Sequence, residues 1–250
     1  IQTLAQQLLG GTVRTSTAYS FENQPIQTLS VNSSSPSQAV LRTYTYNVAG
    51  LLQKITHKIG SQTPRTIVEN TYNDLGQLTT KAFPQLPSGN QTYTYNIRGW
   101  LKTLGSGLTE GYKQTNHYET GGTVNNWNGN ISRIDWSGKS VTIETPIVRT
   151  YNYTYDKVNR ITAANYTAPG EVNWYTVSGM SYDSNGNLKA MTRRNQRAAG
   201  TYDVVDQLTY TYQKNSNKLT QVTDGLSAQS YTAKDFKERS AAPYTYCLLY

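Results

Sequence analysis

The chain has little of what most protein chemistry is built from. Only one of its 250 residues is a cysteine, Cys247, so no intrachain disulfide can form and no Cys/His metal cluster can be assembled. No neighbour of Cys247 would lower a thiol pKa, and it reads as incidental. The two histidines, His57 and His117, sit in polar surroundings without an adjacent nucleophile or metal-ligand spacing. They read as surface or packing residues, not as bases. Asp203 and Asp206 form a close acidic pair outside the turn motif described below. To act as an acid/base pair in a glycosidase or an autoprotease they would have to share a cleft. No Gly-x-Gly-x-x-Gly or Walker-type loop occurs among the 19 glycines, so no cofactor is expected. No apolar run approaches the roughly 20 residues that span a bilayer. The first residues, Ile1 to Gln7, lack the basic-then-apolar order of a signal peptide. With no initiator methionine, the chain reads as an internal piece of a longer one whose export signal, if any, lies elsewhere.

What is abundant points to β-structure. Apolar residues are 36% of the chain, and 21 tyrosines stand against 3 phenylalanines amid much Thr, Asn, Ser, Gln and Gly. Such a composition suits polar β-sheet, giving an all-β fold class. Lys and Arg number 23 against 15 Asp and Glu, a net charge of +8. Apart from Arg193, Arg194 and Arg197 the cations are spread along the sequence, whereas phosphate binding needs them clustered. They read as a solvated surface, and no nucleic-acid partner is expected.

One pattern recurs: Tyr-x-Tyr, then Asn or Asp, two free positions, Gly or Asn, one free position, and Leu or Ile. Tyrosines two apart share one face of a strand. The Asn or Asp can bond back to its own backbone, and Gly accepts positive φ. Each copy is therefore one hairpin. The copies comprise Tyr44, Tyr46, Asn47, Gly50 and Leu52; Tyr72, Asn73, Gly76 and Leu78, with Asn70 for the first tyrosine; and Tyr93, Tyr95, Asn96, Gly99 and Leu101. Later come Tyr153, Tyr155, Asp156, Asn159 and Ile161; Tyr182, Asp183, Gly186 and Leu188; and Tyr210, Tyr212 and Leu219, with one extra residue in the turn. Asp74, Asp156 and Asp183 are all expected to accept backbone N–H groups in these turns.

Between second tyrosines the steps are 26, 23, 60, 27 and 30 residues. Trp127 to Ile134 lies inside the double step, keeps Gly-x-Ile, and counts as a degenerate seventh copy. A period of this size marks units that bury their faces only by stacking on neighbours. Three parts follow: residues 1–40, a degenerate repeat or loop segment with β-like runs at 12–17 and 26–31; 41–225, the hairpin array; and 226–250, its weakly matched end, which reads as cut in mid-array. Lys139 to Glu144 and Val172 to Val177 read as return strands, and 233–239 as a short helix.

The motif resembles that of RHS (rearrangement hot spot) or YD-repeat proteins, carried by Tyr155-Asp156 and Tyr182-Asp183 and, with Asn for Asp, by Asn47, Asn73 and Asn96. That resemblance, over roughly residues 40–225, implies a hairpin strip spiralling into part of a hollow shell, in a secreted or cell-surface protein. It implies a non-catalytic role, enclosing or displaying a C-terminal cargo or toxin encoded outside this chain. The implied partners are the rest of its own longer chain, with export machinery or other proteins beside it. The family's self-cleaving core segment is not recognisable here. An alternative is adhesion, with aromatic rows that include Trp100, Trp127, Trp136 and Trp174 stacking on surface glycans or partner proteins; otherwise these rings pack along the sheet. Glycan acceptor patterns at Asn32, Asn90, Asn130, Asn152 and Asn165 are what an Asn/Ser/Thr-rich chain gives by accident.

Overall fold

Alternating Thr, Tyr, Val and Ile with Asx-Gly turns between them should fold as a meander of hairpins, and they do. The computed structural model describes residues 2–8, 11–108, 111–139 and 146–226. The 233–239 segment, Cys247, Ser140 to Glu144 and most of the 226–250 end lie outside the described residues.

The chain divides into two units at Lys113/Gln114. The first holds β1 (Gln2–Leu8), β2 (Gly11–Tyr19), β3 (Pro25–Asn32), β4 (Val40–Tyr46) and β5 (Leu52–Ile59). It continues with β6 (Arg65–Tyr72), β7 (Leu78–Ala82), β8 (Gln91–Tyr95) and β9 (Leu101–Ser106). Each strand pairs antiparallel with the next in sequence. Two 3-10 turns, Pro36–Gln38 and Pro87–Gly89, lie at the opposite end from the Asx-Gly turns. Proline opens each, where its missing N–H has no bond to lose.

The second unit begins within β10 (Lys113–His117) and holds β11 (Arg133–Ser137), β12 (Arg149–Tyr155), β13 (Ile161–Ala168) and β14 (Glu171–Val172). Then come β15 (Val177–Tyr182), β16 (Leu188–Ala198), β17 (Thr201–Tyr212) and β18 (Leu219–Asp224). From β11 onward pairing is again antiparallel and sequential, with β13 also meeting β15.

Burial differs between the units. Among the described residues of the first, only Val68 is buried, as expected where a single sheet leaves both faces partly open. The second has a core of Tyr118, Tyr166, Val205, Leu208 and Val222, with Ser132, Thr150, Thr176, Asp206 and Asp224 buried beside it.

Two expected elements differ. From Val172 to Val177 there is no continuous strand: β14 stops at Val172, Asn173 takes φ 60°, and β15 starts at Val177. A left-handed residue ends the pleat, and Trp174 leaves the sheet alignment to stack on Tyr202. In the degenerate copy, strand structure begins only at Arg133, and residues 118–132 run as bends. Without a Tyr-x-Tyr strand, the Asn126 N–H bonds to the Tyr118 carbonyl (2.8 Å) in place of closing its own turn.

Candidate functional site

The motif residues converge on one repeated piece of geometry. In each hairpin the second tyrosine is the cross-strand partner of the closing Leu or Ile: Tyr46 of Leu52, Tyr72 of Leu78, Tyr95 of Leu101, Tyr155 of Ile161, Tyr182 of Leu188, Tyr212 of Leu219. A register shift accompanies every such pair, because the return strand carries one extra residue just past the closing position (Gln53, Thr79, Lys102, Thr162, Lys189 or Thr220) that the first strand lacks. The first tyrosines meet aliphatic side chains across the sheet: Tyr44 opposite Ile55, Tyr93 opposite Leu104, Tyr153 opposite Ala164, Tyr210 opposite Val222.

Inside the turn, the side-chain oxygen of the Asn or Asp accepts two backbone N–H groups, two and four residues on. Asn47 takes Ala49 and Leu51 (3.0 and 2.9 Å), and Asn73 takes Leu75 and Gln77 (3.1 and 2.9 Å). Asn96 takes Arg98 and Trp100, both at 3.0 Å. Asp156 takes Val158 and Arg160, both at 3.0 Å, and Asp183 takes Asn185 and Asn187, both at 2.9 Å. In the second copy the acceptor is Asn73, and Asp74, expected in this role, stands one place too late and points into solvent. The Gly position is left-handed throughout: φ is 75° at Gly50 and Gly76, 79° at Gly99, 67° at Asn159 and 87° at Gly186. In the longer final turn Asn215 takes that conformation, at 58°.

Both turn carboxyls titrate low. At Asp156 the backbone N–H of Arg160 leads and its guanidinium adds to the effect, against the desolvation that opposes it. At Asp183 the side-chain amide of Asn187 leads, again against desolvation, with backbone N–H groups contributing.

A second contact, which no local pattern announces, joins each hairpin to the one before. The hydroxyl of every second tyrosine donates to a backbone carbonyl at the closing position of the preceding hairpin. Tyr72 bonds to Leu52 (2.7 Å), Tyr95 to Leu78 (2.9 Å), Tyr182 to Ile161 (2.7 Å) and Tyr212 to Leu188 (2.9 Å). Tyr155 reaches Ile131 (2.7 Å), so the degenerate copy keeps its acceptor although its strand is lost. Tyr46 reaches Pro25 (2.8 Å), which locates a turn of the same kind inside the segment read as a degenerate repeat. There Tyr19 pairs with Pro25, Ser20 Oγ accepts the Gln24 N–H (3.2 Å), and Asn23 has φ 60°. The available signal was Asn23 at the Gly position, three residues beyond Ser20. Asn70, standing for a tyrosine, donates to the same Leu52 carbonyl at 2.9 Å.

The second unit adds a connected aromatic and ionic cluster. Trp136 stacks on Tyr151 (5.3 Å between centroids), Tyr151 meets Tyr166 edge-on (5.4 Å), and Tyr166 meets Tyr175 (5.1 Å). Tyr202 receives Tyr175 edge-on (5.5 Å) and Trp174 flat (3.8 Å). The buried Tyr166 hydroxyl bonds to Glu171, whose other oxygen faces Arg149 at 3.5 Å. Burial pushes the Tyr153 hydroxyl up to about 12, with its tyrosine neighbours adding to it. Burial likewise raises Tyr166, helped by the Glu171 carboxylate, and Tyr175, helped by its bond to Tyr202.

The remaining candidates are held by structural partners. Asp206 is fully buried against Arg193 across the β16–β17 pair, whereas the more open Asp203 faces Arg194 (3.5 Å) and Arg197 (3.4 Å). The two carboxylates thus engage different arginines, and the one local cation cluster is engaged with acids. His117 Nε2 lies 2.9 Å from Asp135. Burial alone would raise the Asp135 carboxyl, but bonds from Arg133, Thr150 and His117 hold it below its ordinary value. His57 sits mid-strand on β5, opposite Arg42 and Arg65. Trp100 lies under the Arg98 guanidinium at 5.2 Å, and Trp127 is exposed. Among the described residues no group of three metal-ligating side chains occurs, and no helix is long and apolar enough to cross a membrane.

Fold and contacts together define a class: an all-β repeat protein built of antiparallel hairpins, five of them closed by an Asx turn, in which the second tyrosine of a hairpin ties it to its predecessor. No protein-family model matches the sequence, and no curated protein does. Among solved structures it is similar to TcdB2-TccC3 without its hypervariable C-terminal region, at 13% identity over 85% of this chain and 11% of that one, TM-score 0.44. It is also similar to TcdB2-TccC3-TEV (15% identity, 86% of this chain, 14% of that one, TM-score 0.41) and to TcdB2-TccC3-Cdc42 (13%, 80%, 13%, 0.39). The chain spans 11% to 14% of the length of these proteins.

Proposed function

We propose that the chain is a non-catalytic structural segment of an exported or cell-surface RHS/YD-repeat protein. It forms part of a hairpin wall that encloses or displays a C-terminal cargo or toxin encoded outside it, and its principal partner is the rest of its own longer polypeptide. The observation that carries this reading is the tyrosine tie. Every motif side chain is engaged in closing its own hairpin or fastening it to the previous one, so the repeat is a device for extending a sheet unit by unit.

Adhesion through aromatic rows would instead need open ring faces. Trp136 and Trp174 lie stacked on Tyr151 and Tyr202, which favours the scaffold reading. The test is protease protection of a cargo fused in its natural place behind the complete array. Survival of the cargo until the array is unfolded is the expected result. Digestion as fast with the array as without it rejects enclosure, and attachment to cells that is lost with Trp100→Ala would move the assignment to adhesion.

A further inference from the structure

Four consecutive hairpins of the first unit each carry one large apolar side chain at the tip of the Asx turn: Phe21 (107% exposed), Val48 (110%), Leu75 (81%) and Ile97 (100%). Turn chemistry does not ask for them. The bend is made by the Asn or Ser before and the Gly or Asn after, and β-branched Val and Ile have no advantage at such positions. Single exposed apolar residues are ordinary on protein surfaces, but here every tip has one: Phe21, Val48 and Ile97 directly after the turn-opening Ser or Asn, and Leu75 one residue later. Because β2 to β9 pair antiparallel in order, all four tips lie at one end of the strands. Successive tips are then about 10 Å apart, two strand spacings. Turns also touch directly, Gln24 Nε2 on the Gly50 carbonyl (3.1 Å) and Gln77 Nε2 on that of Gly99 (3.3 Å). The result is a row of four exposed apolar side chains along one edge of the unit, and exposed apolar surface that recurs in this way marks an interaction surface.

The charges beside the row say what fits it. In order along the strip, the tips carry Glu22, no charge, Asp74 and Arg98. Two carboxylates argue against an anionic membrane. A second row laid alongside in the same direction would set Glu22, Asp74 and Arg98 each against its own kind. Laid in the opposite direction, about a two-fold axis between the second and third tips, it sets each Glu22 opposite Arg98 of the other copy and Asp74 opposite the uncharged Val48 tip. Such an isologous contact is self-complementary, and the charges fix its register.

We propose that this tip row is a self-association surface on which two copies of the chain pair antiparallel, tip to tip. Sedimentation velocity of the 250-residue chain over a wide concentration range is the experiment. The expected result is a concentration-dependent dimer that the variant Phe21→Ser/Val48→Ser/Leu75→Ser/Ile97→Ser abolishes while its far-UV spectrum and melting temperature stay those of the parent. Glu22→Arg should weaken dimerisation about tenfold or more, and Glu22→Arg combined with Arg98→Glu should restore it. A parent chain that stays monomeric overturns the proposal, as does a dimer that survives the four serines. Failure of the charge exchange to restore affinity overturns the antiparallel register. Co-sedimentation of a monomeric parent with phosphatidylcholine vesicles, lost in the serine variant, would give the row to a lipid surface instead.

Discussion

At the scale of single residues, the hairpin turn depends on backbone handedness more than on any side chain. Gly99 has φ 79°, and a Cβ there would press at 3.0 Å on the end of the Gln77 side chain, which can give by a few tenths of an ångström, so the larger cost is conformational. A β-branched residue forced into left-handed backbone should lose about 2 kcal/mol. We predict that loss for Gly99→Val, and well under half of it for Gly99→Asn, because Asn159 holds φ 67° at the equivalent position. Urea unfolding of both variants decides the point: equal losses would mean that handedness is not what the position selects. Asn and Gly were readable in the sequence because turn chemistry is local, closed within five residues. Asp74 was misread as a further acceptor: the spacing to Gly76 already put Asn73 in the accepting place, and Asp74, one residue on, is exposed. The hydroxyl of the second tyrosine was not readable as a tie, because its acceptor lies 17 to 24 residues away.

At the scale of strands, legibility fell where partners were distant. Hairpins with Tyr-x-Tyr were legible because strand, turn and return strand are consecutive. Val172 to Val177 was not, because Asn173 breaks the pleat and Trp174 finds its partner in Tyr202, on β17. The tyrosine hydroxyls pushed up furthest lie in the second unit: Tyr153 on β12, pushed up to about 12, Tyr166 on β13, and Tyr175 just before β15. In the folded chain these hydroxyls stay protonated above the ordinary value of 10.0, whereas in the unfolded chain they ionise near it. Their contribution to stability is thus complete below about pH 10 and is lost as pH rises towards and through 12. We predict a fall in melting temperature that begins near pH 10, together with tyrosinate absorbance at 295 nm that lags in the folded state. Tyr153→Phe should make the fall shallower. A melting temperature that is flat to pH 12 would contradict the raised values.

For the whole molecule, the question is how far a local injury travels. The first unit has almost no buried core, and its hairpins are held by ladder pairs, Asx turns and one tyrosine tie to each predecessor. Stability in such an array is a sum of unit terms and nearest-neighbour terms, without a central core through which damage could spread. Asn73→Ala removes the two bonds that its side-chain oxygen accepts in the β6–β7 turn and the one that its amide donates to Gln77. It leaves intact the Tyr72 and Tyr95 hydroxyls that fasten this hairpin to its neighbours. We therefore predict that amide-exchange protection falls most in β6 and β7, less in the flanking β4–β5 and β8–β9 hairpins, and not measurably in β16 to β18. Adding Tyr95→Phe should cut the hairpin's tie to β8–β9, so the deficit there deepens while β4 and β5 change no further. A uniform loss of protection across all strands would mean that the chain folds as one cooperative block, and the repeat would then be a pattern of sequence without being a unit of stability.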